Sequence, residues 1–250
     1  MIKYFNYFKK KIADVSLRQM VEIPSLPMAV SFTFDDVPKS GFVNAQKVLD
    51  EHQIKGTYYL ALSFLEGRSE NSDLYNIADL QHCVDQGHEL ACHTYSHIHL
   101  FETKENKVIE QDIAMNKQVL EALPFDCEFL NFSYPYGEQT WQAKKVMSKH
   151  FLTCRGIDPG INSGQVDTYN LKAIRLYENF NPLETIFSWL EAHQKNGGWL
   201  IFYTHDVQDD YSKHGCSPAY FETVVKKCIE LKLITKTVAE VAKTLHLSKG

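Results

Sequence analysis

Along this chain, short apolar runs of strand length alternate with longer segments whose apolar residues recur at helical spacing. Met28–Phe34 (MAVSFTF) reads as a strand that ends in Asp35-Asp36. Gly41–His52 follows as a helix, with Phe42, Ala45, Val48 and Leu49 at helical spacing. Gly56 punctuates the chain before a second strand, Thr57–Leu62. Ile77–Gln86 is helical, and Gly87 suits its C-terminal left-handed position. His88–Cys92 is a short third strand. Thr103–Leu123 is the longest helical pattern, with Val108, Ile109, Ile113, Val119, Leu120 and Leu123 on one face and Pro124 as its stop. Phe129–Ser133 and Phe151–Cys154 read as strands flanking a helix, Glu138–His150. The Gly/Pro/Asn-rich stretch Gly156–Gly164 reads as a loop, and Leu171–Leu176 as a strand. Pro182 opens helix Leu183–Gln194, and Gly197-Gly198 ends it. Trp199–Thr204 (WLIFYT) is a strongly apolar strand. Helix Pro218–Leu231, a short strand near Leu233–Thr235 and helix Val238–Leu245 close the chain.

Repeated βα units imply an α/β fold with a parallel sheet covered by helices. About seven units favour a barrel or distorted barrel over an open doubly wound sheet. No GxGxxG or GxxxxGK[ST] follows a strand, which removes the usual phosphate cradles. A length of 250 residues allows one domain or two, and no repeat or composition break marks a boundary. Hydrophobic residues at 44% and charged residues at 23% fit a globular chain and exclude a disordered or collagenous one. The net charge of −5 argues against a nucleic-acid partner gripped by a broad basic face.

The six cysteines contain no CxxC pair. They read as reduced, mostly buried thiols of a cytoplasmic protein. No transmembrane helix is expected, since no run of about 18 apolar residues exists. The N-terminus lacks a secretory h-region and cleavage site. It mixes Tyr4, Phe5, Tyr7 and Phe8 with Lys3, Lys9, Lys10 and Lys11. Two readings stand: weak association of residues 1–12 with the inner face of a membrane, or a terminal helix packed on its own domain.

Chemistry-bearing residues cluster at predicted strand ends. Adjacent Asp35 and Asp36 repel each other, and a cation or a shared proton would relieve that. His93-Thr-Tyr-Ser-His97 spaces two imidazoles four residues apart, so that on a helical turn both could reach one metal ion. Nearby His99 reads as a surface or supporting residue. Tyr134-Pro135-Tyr136-Gly137 is a tight loop that can aim backbone N–H groups outward. His205, directly after an apolar strand, is placed for acid–base work. In α/β barrels the C-terminal ends of strands carry the active site, and this set is the parts list for metal-assisted hydrolysis.

From about Met28 to Leu245 the sequence resembles the polysaccharide deacetylase family, also called the NodB-homology domain or carbohydrate esterase family four. Its motifs appear in family order. Thr33-Phe34-Asp35-Asp36 resembles the first, which implies Asp35 as catalytic base and Asp36 as a metal ligand. His93-Thr-Tyr-Ser-His97 resembles the second, which implies His93 and His97 as the other ligands. Ser133-Tyr134-Pro135-Tyr136-Gly137 resembles the third, which implies substrate binding at Pro135 and Tyr136. Tyr203-Thr204-His205 resembles the last, which implies His205 as catalytic acid. The implied fold is a single-domain, distorted (β/α) TIM-like barrel of seven or eight parallel strands spanning 28–250, behind a helical extension, 1–27. The implied activity is zinc-dependent removal of an N-acetyl group from an amino sugar, whether polymeric, lipid-linked or nucleotide-linked, in cell-surface polysaccharide biosynthesis.

The sequence departs from the family pattern at several positions. Val37-Pro38 stands where the family has Gly-Pro. Ser133 stands where many members carry an arginine that contacts the catalytic Asp. The fourth motif, an Asp followed by Trp, is replaced by Cys154-Arg155-Gly156-Ile157-Asp158-Pro159-Gly160-Ile161-Asn162. That leaves Asp158, Asp206 or neither to orient His205. Two alternatives follow: an allantoinase-like amidohydrolase of the same superfamily, or a catalytically degenerate sugar-binding domain.

Overall fold

Successive strand residues point to opposite faces of a sheet, and that alternation sorts this chain into two layers. In strand β2 (Ala29–Asp35), Val30, Phe32 and Phe34 join the main apolar core beneath the helices. Ser31, Thr33 and Asp35 take the other face and point into the curled sheet. The same phase holds in β9 (Leu200–Thr204), where Leu200 and Phe202 join the outer core and Ile201 and Tyr203 a second, inner one. This computed structural model describes residues 2–24, 29–67 and 73–245, with no side chains for residues 2–5. Met28, at the start of the first predicted strand, lies outside them, as do the side chains of Lys3, Tyr4 and Phe5.

The elements between follow the predicted order: β3 (Thr57–Leu60), α3 (Ile77–Asp85), β4 (Glu89–Cys92), α4 (Asn106–Glu121), β5 (Asn131–Ser133), α5 (Trp141–His150), β6 (Thr153–Arg155), β8 (Ile174–Arg175) and α6 (Leu183–Asn196). After β9 come α7 (Pro218–Glu230), β10 (Ile234–Thr235) and α8 (Val238–Thr244). The sheet runs β6-β5-β4-β3-β2-β9-β8, all parallel, and β10 pairs with the start of β2. It curls into a half-barrel, a distorted (β/α) barrel in one α/β domain. An isolated bridge, Arg155↔Leu171, ties β6 to the segment that leads into β8.

The structure corrects several sequence expectations. Gly41–His52 is not one regular helix: Gly41–Ala45 forms a wide π-helical turn, and only Gln46–Glu51 (α2) is α-helical. The turn brings the Asn44 amide onto the Val207 carbonyl at 2.7 Å. Helix α5 starts at Trp141 rather than Glu138, because the Thr140 hydroxyl accepts from Ala143 N–H and caps it there. The Glu138 carboxylate is engaged instead by the Phe101 N–H, at 2.9 Å. Two short strands have no counterpart in the prediction: β1 (Met20–Ile23) and β7 (Gly164–Asp167) pair antiparallel. The N-terminal segment thus holds helix α1 (Ile2–Val15) and a strand. Among the described residues no helix is long and apolar enough to cross a membrane.

Candidate active site

Parallel strands end on one rim of the sheet, and the rim gathers Asp35 and Asp36 after β2, His93 and His97 after β4, Tyr136 after β5 and His205 after β9. All six line one cavity of about 550 Å³. Pro135 is buried and does not line it. Asp36, His97 and Tyr136 all have positive φ, at 50°, 51° and 56°, as does Thr94 at 64°. Such left-handed backbone is costly for side-chain-bearing residues and concentrates at functional sites. The histidine pair therefore meets through an irregular loop, and not through the helical turn expected from its spacing.

Asp36, His93 and His97 each offer an atom within 4.8 Å of the others. His97 Nε2 lies 3.0 Å from Asp36 Oδ2, and His93 Nε2 lies 3.7 Å from Asp36 Oδ1. The His97–Asp36 contact is close but lacks hydrogen-bond geometry, and Asp36 Oδ1 and His97 Nε2 are both buried with no hydrogen-bond partner. Buried polar atoms left so are expensive unless a cation joins them. His93 Nδ1 lies 2.9 Å from the Ser133 carbonyl, which can only accept, so Nδ1 carries the proton and Nε2 presents its lone pair to the cluster. Burial holds the His93 imidazole down to about 4, against the pull of Asp36 and Asp35, so the ring is neutral near pH 7. Three N/O donors, with no fourth protein ligand in the cluster among the described residues, fit a catalytic divalent site.

Asp35 is 5% exposed. Burial alone would raise its carboxyl, but Arg155, His93 and His205 outweigh that and hold it below the ordinary carboxylate value. The Arg155 guanidinium is fully buried, binds both Asp35 oxygens, and lies between the Tyr59 and Tyr203 rings at 5.1 and 4.8 Å. Sequence reasoning missed Arg155. Register explains its role: Ser133 and Arg155 are direct neighbours on β5 and β6. The guanidinium absent from position 133 is supplied one strand over, and the small Ser133 side chain leaves room for it. Extending the predicted strand Phe151–Cys154 by one residue would have put Arg155 at its active-site end.

Neither acidic candidate orients His205. Asp158 pairs with Lys10. Asp206 turns away and accepts from the Ser212 N–H at 2.7 Å and its hydroxyl at 2.6 Å. The Tyr177 hydroxyl instead meets His205 Nδ1 at 3.3 Å. His205 Nε2 then faces the cavity, 3.9 Å from Asp36 Oδ2. On the opposite wall the Tyr136 ring stacks on His99 at 3.9 Å, and Glu138 holds His99 Nδ1 at 3.1 Å. Gly137, at φ 65°, leaves no room for a Cβ, which would meet Ile157 at 2.3 Å.

Residues 24–154, just over half of the chain, match the polysaccharide deacetylase family. The chain is 29% identical over 69 residues to the chitin disaccharide deacetylase of Vibrio alginolyticus, a stretch covering 28% of this chain and 16% of that protein. Its fold is similar to a family 4 acetyl xylan esterase from Clostridium thermocellum solved with a cobalt ion (TM-score 0.61, 18% identity, 89% and 94% of the two chains). It is also similar to a family 4 pseudoenzyme from Bacillus anthracis (TM-score 0.59, 13% identity, 87% and 66%). With motif residues from four strand ends gathered on one rim and the family match spanning the first three of them, the chain belongs to the polysaccharide deacetylase family.

Proposed function

We propose that this protein is a metal-dependent hydrolase that removes an N-acetyl group from an amino sugar during cell-surface polysaccharide biosynthesis. The observation that carries this is the joint presence, around one cavity, of a three-donor cluster, an arginine-held carboxylate and an oriented histidine. Asp36, His93 and His97 would hold the ion, which, when bound, supplies Lewis acidity toward water and the amide carbonyl. Asp35 takes the proton from the attacking water, and its guanidinium partner keeps it ionised to do so. The Tyr136 backbone N–H stabilises the negative charge that develops on the acetamido oxygen. His205 Nε2 delivers the proton to the leaving amine, and acetate and a free amino sugar result.

An intact set of this kind favours an enzyme over a degenerate sugar-binding domain, since sugar binding alone needs neither the buried ion pair nor the donor cluster. None of the six cysteines is in a disulfide, which supports a reducing, cytoplasmic setting. Helix α1 leaves Tyr7, Phe8 and Ile12 exposed, which supports peripheral contact with the inner membrane face.

The test is acetate release from N-acetylated sugars with and without chelator. Asp35→Asn is expected to lower kcat about 100- to 10,000-fold while retaining metal. Asp36→Ala is expected to lose both metal and activity. Full activity with bound metal in D36A would exclude the mechanism.

A further inference from the structure

The cavity has two unlike walls. Around Tyr136, Gly137 and Ile157 it carries no charged group. On the His205 side it carries Arg175 and Lys213. The only other charged lining residues are Asp35, already neutralised by Arg155, and Asp36, in the donor cluster. The chain as a whole has a net charge of −5, so unopposed cations at this opening are not a by-product of a basic surface.

Neither cation is neutralised by a carboxylate, and the segments that carry them are braced. Arg175 ends β8, and its guanidinium lies 5.4 Å from the Phe180 ring centre. Lys213 sits on the loop after β9, whose organiser is Asp206: 3% exposed, it binds the Ser212 N–H and hydroxyl. Gly215 is pressed against that carboxylate so closely that a Cβ would come within 2.3 Å of Asp206 Oδ1. The two segments brace each other. Glu178 N–H donates to the Gly215 carbonyl at 3.1 Å, and the Glu178 carboxylate accepts from Ser217 N–H at 2.8 Å. The nearest acids on these segments, Asp206 and Glu178, are thereby spent on backbone and hydroxyl donors. Asp209 and Asp210 of the same loop do not line the cavity. Among the described residues neither Arg175 nor Lys213 has a carboxylate partner.

Resting on the deacetylase function proposed above, we propose that Arg175 and Lys213 form an anion subsite, and that the substrate is an N-acetyl sugar carrying a phosphate ester. Two cations lining the same cavity as the donor cluster match a dianionic group, and the planar guanidinium suits phosphate oxygens. A neutral glycan would leave both cations unused. The phosphate could belong to a sugar phosphate or to a diphosphate-linked carrier, and both present the same chemistry to this wall.

The experiment compares kcat/KM for acetate release from N,N′-diacetylchitobiose, N-acetylglucosamine 1-phosphate and a nucleotide diphosphate-linked N-acetylglucosamine, using the metal-loaded enzyme and an Arg175→Gln/Lys213→Gln variant. The expected result is at least a tenfold preference for a phosphorylated sugar at low ionic strength, shrinking as salt is added. In the variant the preference is expected to fall to within about twofold. The stronger of the two phosphorylated probes identifies the source. Equal use of neutral and phosphorylated sugars, or a preference that the double variant keeps, would overturn the subsite. Calorimetric titration with N-acetylglucosamine 1-phosphate and with N-acetylglucosamine decides the subsite even if no probe releases acetate. In that case the deacetylase function fails, whereas phosphate-dependent binding lost in the variant still supports the subsite, and binding indifferent to phosphate or to the variant refutes it.

Discussion

Asp35 and His205 each depend on a neighbour that the family pattern does not supply at its usual position. A buried carboxylate without a counter-charge would be protonated, and Arg155 prevents this with two charge-assisted contacts. Arg155→Lys keeps the charge but loses the planar fork. It is expected to fold, to bind metal, and to lower kcat about tenfold or more. Arg155→Met leaves Asp35 buried and unpaired, and the urea midpoint is expected to reveal a loss of about 3–5 kcal/mol. Tyr177 positions His205 through one hydrogen bond. Tyr177→Phe is expected to reduce kcat about two- to tenfold with KM unchanged. Asp206→Asn should instead raise KM, because it loosens the loop that carries Lys213. Equal effects of the two variants on kcat would remove Tyr177 from its role. Neither neighbour was legible by motif, since both act across strands: Arg155 is beside Ser133 only through sheet register, and Tyr177 reaches His205 from another strand's end.

At the level of elements, alternation and helix punctuation were legible because they are local. The inward face of β2 follows from its period, and it delivers Asp35 to the interior. The β1–β7 pair was not legible, because both strands are only four residues long, too short for their alternation to stand out, and they pair across more than 140 residues. The junction of β3 and β4 shows what register adds to sequence. His88, just before β4, accepts from Gly56 N–H at Nδ1 (2.9 Å), and its Nε2 reaches Asp50 Oδ1 at 3.1 Å. An amide N–H only donates, so Nδ1 must stay unprotonated. Burial pushes the His88 imidazole down to about 4, against the pull of Asp50. The unfolded chain binds this proton near pH 6.5, and the folded one only near 4. Stability from this residue is therefore complete above pH 6.5 and is lost as pH falls toward 4, by up to about 3 kcal/mol. His88→Gln should be destabilised at pH 7, and the gap to the parent should narrow between pH 6.5 and 4. A gap independent of pH in urea melts would show that the folded ring titrates normally.

The whole molecule is organised so that one site draws on residues from β2 through the loop after β9, which is why a half-chain could not carry it. Helix α1 stands outside that arrangement. It is attached by polar contacts: the fully buried Lys144 ammonium of α5 donates to the Ala13 carbonyl at 3.0 Å and pairs with Asp167 of β7, while Lys10 pairs with Asp158. Its outward face presents Tyr7, Phe8, Ile12 and Val15, an apolar stripe turned away from the domain. Among the described side chains, none of α1 lines the catalytic cavity. Removal of residues 1–15 should therefore leave acetate release from soluble sugars within about twofold. It should also lower the urea midpoint by about 1–3 kcal/mol, because Lys144 loses its carbonyl partner while staying paired with Asp167. Flotation with anionic vesicles separates the two uses of the helix. If α1 touches a membrane, the full chain floats and the truncated chain does not. Equal flotation of both would leave α1 as a structural brace, and loss of soluble activity with an intact fold would mean that the helix reaches the site.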